Sequence, residues 1–174
     1  PSPTLGQHNE EVFSELKTLQ NNQPKPDGNS NKRPLEGIRI IDMAVIFAGP
    51  YGTMFLGDMG AEIILVETLN GLPATSRGQF ARPSKESQMR AATSPYPDRD
   101  PGERPWNRAS NFNAHARNKH GITLDMTKNE ARDAFRKLVE ISDIFIENNA
   151  TGSMKRLGIS YDVISQWNPK LIMI

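Results

Sequence analysis

The sequence predicts an α/β protein built on a mostly parallel sheet with helices on its faces. From Ile38 onward, short β-rich runs alternate with helical patterns, the rhythm of strands joined through helices. The helical patterns carry start and stop signals, with Pro50 near one beginning and Gly60 and Gly158 at two ends. The strand candidates IRIIDM, EIILVE and DIFIE are apolar and of strand length.

His8 to Leu19 reads as an amphipathic helix: Val12, Phe13, Leu16 and Leu19 share a face, Glu10 and Glu11 lie in the first turn, and Lys17 is near the last. Residues 20–33 (QNNQPKPDGNSNKR) hold no apolar side chain besides two prolines and so read as a solvated linker dividing the chain. Ile38 to Met43 is the first strand; Pro50, at a first helical position that needs no N–H, opens a helix to Met59 that closes on Gly60. Glu62 to Glu67 and Gly121 to Leu124 are the next strands. Thr127 with Glu130 makes a capping-box pattern for a helix reaching Ser142, with Ala134, Phe135, Leu138 and Val139 on its buried face. Asp143 to Glu147 is again a strand, Ser153 to Leu157 a helical turn stopped by Gly158, and Ser160 a cap for a last helix that ends before Pro169. The apolar run Leu171 to Ile174 resembles a buried strand; with Pro1 in place of an initiator Met, the chain reads as a piece of a longer protein. Between Asn70 and Ser110 the rhythm fails, and a segment rich in Pro, Ser, Arg and Gly takes its place. Two readings of it stay open: a solvated surface loop, or a basic flap over a phosphorylated ligand.

Length suits one α/β domain. The 21 basic and 20 acidic residues leave a net charge of +1, which removes any overall drive toward nucleic acid or an acidic membrane. Without cysteine there is no disulfide, thiolate metal site or Cys nucleophile, in keeping with a reducing compartment. No apolar stretch approaches the ~18 residues of a membrane span and no signal-peptide pattern opens the chain, so the expected location is cytoplasmic.

The turn Ala44 to Gly52 (AVIFAGPYG) leads from a strand into a helix N-terminus, where N–H groups favour an anion. Glu67 falls where a dinucleotide fold holds its ribose-binding acid, but G-x-G-x-x-G is absent, and the residues favour a plain structural turn. His115 and His120, five apart, do not share a helical face, which argues against metal ligation and for a surface role. Asp125, Asp143 and Glu147 lie at strand ends, and position alone makes none of them catalytic. NNATGSMKR is either a loop with a capped helix or a phosphate-facing loop at a strand's carboxyl end.

In order, PLEGIRIIDMAVIFAGPYGTMFLGDMGAEIILVE, NKHGITLDM and SDIFIENNATGSMKRLGISYDVISQWNPKLIMI resemble the N-terminal part of family III CoA-transferases, the group of formyl-CoA and carnitine CoA-transferases and alpha-methylacyl-CoA racemases. The resemblance covers most of Pro34 to Ile174 outside the loop and implies a Rossmann-like CoA-binding large domain, incomplete in this chain, in an enzyme of two interlocked subunits. TLGQHNEEVFSEL resembles the family's C-terminal closing motif. Closing motif, polar linker and opening motif in that order imply the junction of a tandem two-copy member; a circular permutation, a rarer event, would give the same order. Residues 1–19 would then close a preceding repeat, 20–33 link, and 34–174 open the next, with 70–110 a long basic insertion.

The resemblance places CoA contacts on Val45, Ile46, Phe47 and Ala48, on Leu124, and on Asn148, Asn149 and Arg156, the last holding the nucleotide, where a guanidinium suits phosphate. The chain departs from the family at Val45, which some members replace by a polar or basic residue, at Asn149, usually aromatic, and at Thr68, elsewhere an arginine. The implied reaction moves CoA between an acyl-CoA and a small carboxylate through an aspartyl-CoA intermediate. Its aspartate is expected downstream of Ile174, so no catalytic residue is assigned here, no turnover is expected of this chain alone, and no metal is implied. Expected partners are acyl-CoA, a small carboxylate and a second, interlocked repeat or subunit. The alternatives are an acyl-CoA racemase, a CoA-dependent lyase (for example of dimethylsulfoniopropionate), or a non-catalytic CoA-binding half.

Overall fold

The computed structural model describes residues 2–18, 32–45, 47–68, 77 and 83–174. Among these, five parallel strands form one sheet: β1 (Arg39–Asp42), β2 (Glu62–Glu67), β3 (Lys119–Thr123), β4 (Ile144–Ile146) and β5 (Ile172–Met173). The spatial order is β3-β2-β1-β4-β5. The chain therefore builds outward from β1 to β3 and then returns to lay β4 on the other side of β1. At such a reversal the connections leaving β1 and β4 diverge, and a crevice opens at the strands' carboxyl ends.

Side-chain alternation decides which face each strand residue serves. Ile41, Ile64, Ile122 and Phe145 join Val12 of helix α1 (Asn9–Thr18), Phe135, Leu138 and Val139 of α5 (Asn129–Glu140), and Ile164 of α7 (Tyr161–Trp167) in one core. Ile40 and Ile63 face the other way and pack with Leu56 of α2 (Ala48–Asp58). Phe135 meets Phe145 edge to face at 5.7 Å, both fully buried. Burying each such side chain contributes about 1.5–3 kcal/mol.

Several local expectations are corrected. The Thr127–Glu130 capping box does not form: α5 starts at Asn129 with Lys128 in the cap position and no side-chain cap bond. The Thr127 hydroxyl instead donates to Asp125 at 2.6 Å, and the same carboxylate accepts the Thr127 N–H at 3.1 Å. The Thr127 N–H that Glu130 would accept in a capping box is therefore already held by Asp125. Ser160 stands at the start of α7 but caps it only with its carbonyl. Pro50 is the third residue of α2, still within the turn whose N–H groups need no helical partner. Gly60 and Gly158 do end their helices, at φ of +108° and +73°. α5 closes with Asn168, whose amide donates to the Val139 and Ser142 carbonyls at 2.9 and 2.8 Å.

The described part of the irregular region, from residue 83 on, is more regular than its composition suggests. Within it lie α3 (Lys85–Arg90), capped by Ser84, two 3₁₀ turns at Pro97–Arg99 and Pro105–Asn107, and then α4 (Ser110–His115). Arg77 is the anchor. Buried to 1% exposure, it forms an ion pair with Glu67 at the end of β2, donates to the Trp106 carbonyl and Asn107 at 3.1 and 3.0 Å, and stacks 3.7 Å over Phe112. Arg99 and Arg108 donate to backbone carbonyls, and Arg117 pairs with Asp58. These arginines of the supposed flap therefore hold the region together. Residues 69–76 and 78–82 of the loop, 19–31 of the linker, and the side chains of Leu16 and Leu19 lie outside the described residues.

Candidate functional site

The crevice predicted by the strand order is present as a cavity of 480 Å³. Its walls come from the carboxyl ends of four strands: Met43, Ala44 and Val45 after β1, Glu67 and Thr68 at β2, Leu124 to Thr127 after β3, and Asn149 after β4. Phe47 before α2 and Pro50 in its first turn, Phe112 and His115 of α4, and Ser153, Met154 and Leu157 at α6 (Ser153–Leu157) add to them.

The turn after β1 is fixed from below and from the side. Asp42 is fully buried; one oxygen accepts the Ala44 N–H at 2.9 Å, and the other receives the Thr53 hydroxyl at 2.5 Å and the Lys119 ammonium at 2.8 Å. Lys119 also donates to the Pro50 carbonyl and to Thr53, both at 2.8 Å, so its three protons are satisfied under the first turn of α2. Burial pushes its pKa down, against the pull of Asp42. From the side, Asn148 accepts the Val45 N–H at 2.8 Å and Asn149 donates to the Met43 carbonyl at 3.1 Å. Glu147 holds Asn149 in turn, accepting its backbone N–H at 2.7 Å. β1 and β4 are thereby cross-braced at the point where their connections part.

Charged groups in the wall are engaged: Glu67 with Arg77, Lys119 with Asp42, and Asp125 with Thr127, whose hydrogen bond holds that carboxyl below its ordinary value. What remains is an apolar, methionine- and aromatic-rich surface with amide and hydroxyl groups at its rim, suited to the uncharged parts of a ligand.

Of the residues singled out from the sequence, Val45, Phe47, Leu124 and Asn149 line the cavity. Asn148 stands behind the wall as a brace, and Ala48 opens α2 beside it. Arg156 lies on α6, exposed, with its guanidinium on the Ser153 hydroxyl at 2.9 Å. Ile46 is outside the described residues. Glu67, considered for a ribose, is occupied by Arg77.

His115, given a surface role from its spacing to His120, belongs instead to the cavity wall. It is a half-buried wall residue with its ring edge-on to Phe47 and Tyr51, both at 5.6 Å. Burial, and after it Lys119, pushes its pKa down, with a hydrogen bond to Asn111 opposing. No signal in the sequence marked it, because the turn of helix that presents it sits in a stretch without apolar period. His120 is elsewhere, on the outer strand β3, stacked against His8.

A family model described as CoA-transferase family III matches residues 35–174. A protein named acyl-CoA transferase from Fusarium pseudograminearum is 33% identical over 157 residues, 87% of this chain and 30% of that protein. The alpha subunit of succinyl-CoA:L-malate CoA-transferase from Chloroflexus aurantiacus is 35% identical over 150 residues, 86% of this chain and 30% of the subunit. The crystal structure of a CAIB/BAIF family protein from Brucella suis, 32% identical, superposes with a TM-score of 0.61 over 82% of this chain and 32% of its own. The chain spans about a third of the length of these relatives.

Proposed function

This chain belongs to CoA-transferase family III, and from that premise we propose that it is the CoA-binding part of an enzyme moving coenzyme A between an acyl-CoA and a small carboxylate. The observation that supports this most is the cavity at the carboxyl ends of β1 to β4, braced by Asn148 and Asn149 and lined by Val45, Phe47, Leu124 and Asn149. Its apolar wall suits the base and pantetheine arm of CoA, and Arg156, one helical turn from Ser153, is the group we assign to the nucleotide phosphates at the rim.

In the proposed reaction an aspartate attacks the acyl thioester and expels the CoA thiolate, which returns to the resulting anhydride to give aspartyl-CoA and free acid; an incoming carboxylate reverses the steps. Asp42, under the turn, is no candidate nucleophile, since both its oxygens already accept hydrogen bonds. We assign the nucleophile to sequence following Ile174 and expect no turnover from residues 1–174. A second CoA-transferase unit, interlocked with this one and joined to it in tandem, and a cytoplasmic location belong to the same proposal. A relative that has an alpha subunit supports the first point. No helix among the described residues is long and apolar enough to cross a membrane.

The test is calorimetry and native mass spectrometry of the 174-residue chain with CoA. One CoA per chain is expected, with affinity falling about tenfold in Arg156→Ala, the loss of a charge-assisted contact. A chain that stays free at millimolar CoA would refute the reading, and acyl transfer by this chain alone would refute the assignment of its nucleophile.

A further inference from the structure

We propose that residues 2–13 form an acid-released clasp on the outer edge of the sheet, with His8 as its latch. Among the described residues β3 is an edge strand, and its outward N–H and C=O groups need a cover. His8 and Asn9 supply it. The His8 N–H donates to the Gly121 carbonyl at 3.2 Å while His8 Nδ1 accepts the Gly121 N–H at 3.1 Å. Asn9 Oδ1 accepts the Thr123 N–H at 2.9 Å, and its amide donates to the Thr123 hydroxyl at 3.0 Å. Val12 then enters the main core.

The clasp also reaches the cavity's outer wall. Leu5 N–H and Arg77 share the Asn107 side-chain oxygen at 3.1 and 3.0 Å, and the Ser2 hydroxyl donates to the Asn113 carbonyl of α4 at 2.9 Å. Releasing it loosens the segment that carries Phe112 and His115.

The latch works in one protonation state. Only an unprotonated Nδ1 accepts an N–H, so the bond to Gly121 requires neutral His8 with its proton on Nε2. Around His8 stand His120 from β3, with ring centroids 4.7 Å apart, Glu11 from α1, 4.0 Å from His120, and the Gln7 side-chain nitrogen, 3.3 Å from His8 Nε2, a donor that offers the Nε2 proton no acceptor because the Gln7 oxygen already accepts the Thr4 N–H. One carboxylate serves two imidazoles. Burial first, then His120, pushes the His8 pKa down, and Glu11 opposes. The clasped state thus binds fewer protons than the open one, so its stability is complete above the ordinary histidine pKa of about 6.5 and is lost as pH falls below it. His8, Glu11 and His120 are close enough to share a cation, but with Nδ1 given to Gly121 the other nitrogen carries the proton, and a metal ion would have to break the clasp.

Amide hydrogen exchange by NMR on the 174-residue chain tests this, each rate being referred to the unstructured rate at the same pH. Between about pH 7.5 and about pH 5.5, Gly121 and Thr123 should lose protection together by roughly tenfold, while Ile41 and Ile64 keep theirs. Glu11→Gln should deepen the loss reached at about pH 5.5, and His120→Gln should make it shallower. His8→Gln, which keeps an acceptor that does not titrate, should flatten the profile; if it fails to dock, the His120→Gln result decides. Constant protection in the wild type, an unchanged profile in His120→Gln, or loss at Ile41 and Ile64 in step with Gly121 would overturn the proposal.

Discussion

Lys119 is the residue on which the site's floor depends. An ammonium with 1% side-chain exposure is tolerated because Asp42, Thr53 and the Pro50 carbonyl take all three protons. Lys119→Met would leave Asp42 as a buried charge without its cation. The expected cost is about 3–5 kcal/mol, read as a lower urea midpoint, and adding Asp42→Asn should restore much of it, since the penalty comes from the stranded charge more than from the lost attraction. A double variant as unstable as Lys119→Met alone would contradict that account. Arg77 has the same logic at the other end of the cavity, where its pairing with Glu67 turns two charges into the fastening of a long connection.

The β1–α2 connection is the element whose shape matters most, and Gly49 permits it. A Cβ at this position would lie 2.3 Å from the Ala44 Cβ, both fixed close to the backbone, so neither could swing aside. Gly49→Ala should shift the first turn of α2 away from the strand, strain the Asn148 and Asn149 braces, and cost about 1–3 kcal/mol. CoA affinity should fall in calorimetry together with stability; unchanged binding would show that the turn does not shape the ligand's seat. Further along, Gly57 lets α2 lie close over Ile63 and the Asn118 carbonyl, both 3.2 Å from where a Cβ would be.

Across the whole molecule, the question is whether the region from 83 to 117 is part of the folding unit. It adds its own cluster of Tyr96, Ala109, Phe112 and Ala116 to Leu65 of β2, and Arg77 ties it to the sheet. The two tryptophans fall on either side of that question, Trp106 within the region and Trp167 against the main core. Urea unfolding of Trp167→Phe, followed by Trp106 fluorescence and by far-UV circular dichroism, should give the same midpoint with both probes, as a single cooperative transition requires. A separate, earlier midpoint for Trp106 would mean that the region opens on its own and that the cavity's outer wall is only loosely held.

The sequence by itself determined the alternation of strands and helices, the glycine stops and the buried face of α5. Those features depend on neighbours a few residues apart, whose period is visible in the chain. The family resemblance likewise followed from contiguous motifs, and it pointed to the turn after β1 and the segment after β4. Tertiary structure decided the rest, because it joins residues that no local rule connects. Asp42 meets Lys119, Glu67 meets Arg77, and Val45 meets Asn148 only once the strands are ordered β3-β2-β1-β4-β5. Composition made the arginines of the long connection look free for a ligand, whereas burial and carbonyl partners made several of them structural. His115 became a wall residue, and His8 and His120 became a pair, for the same reason: an imidazole's role is set by what packs around it, which spacing along the chain does not record.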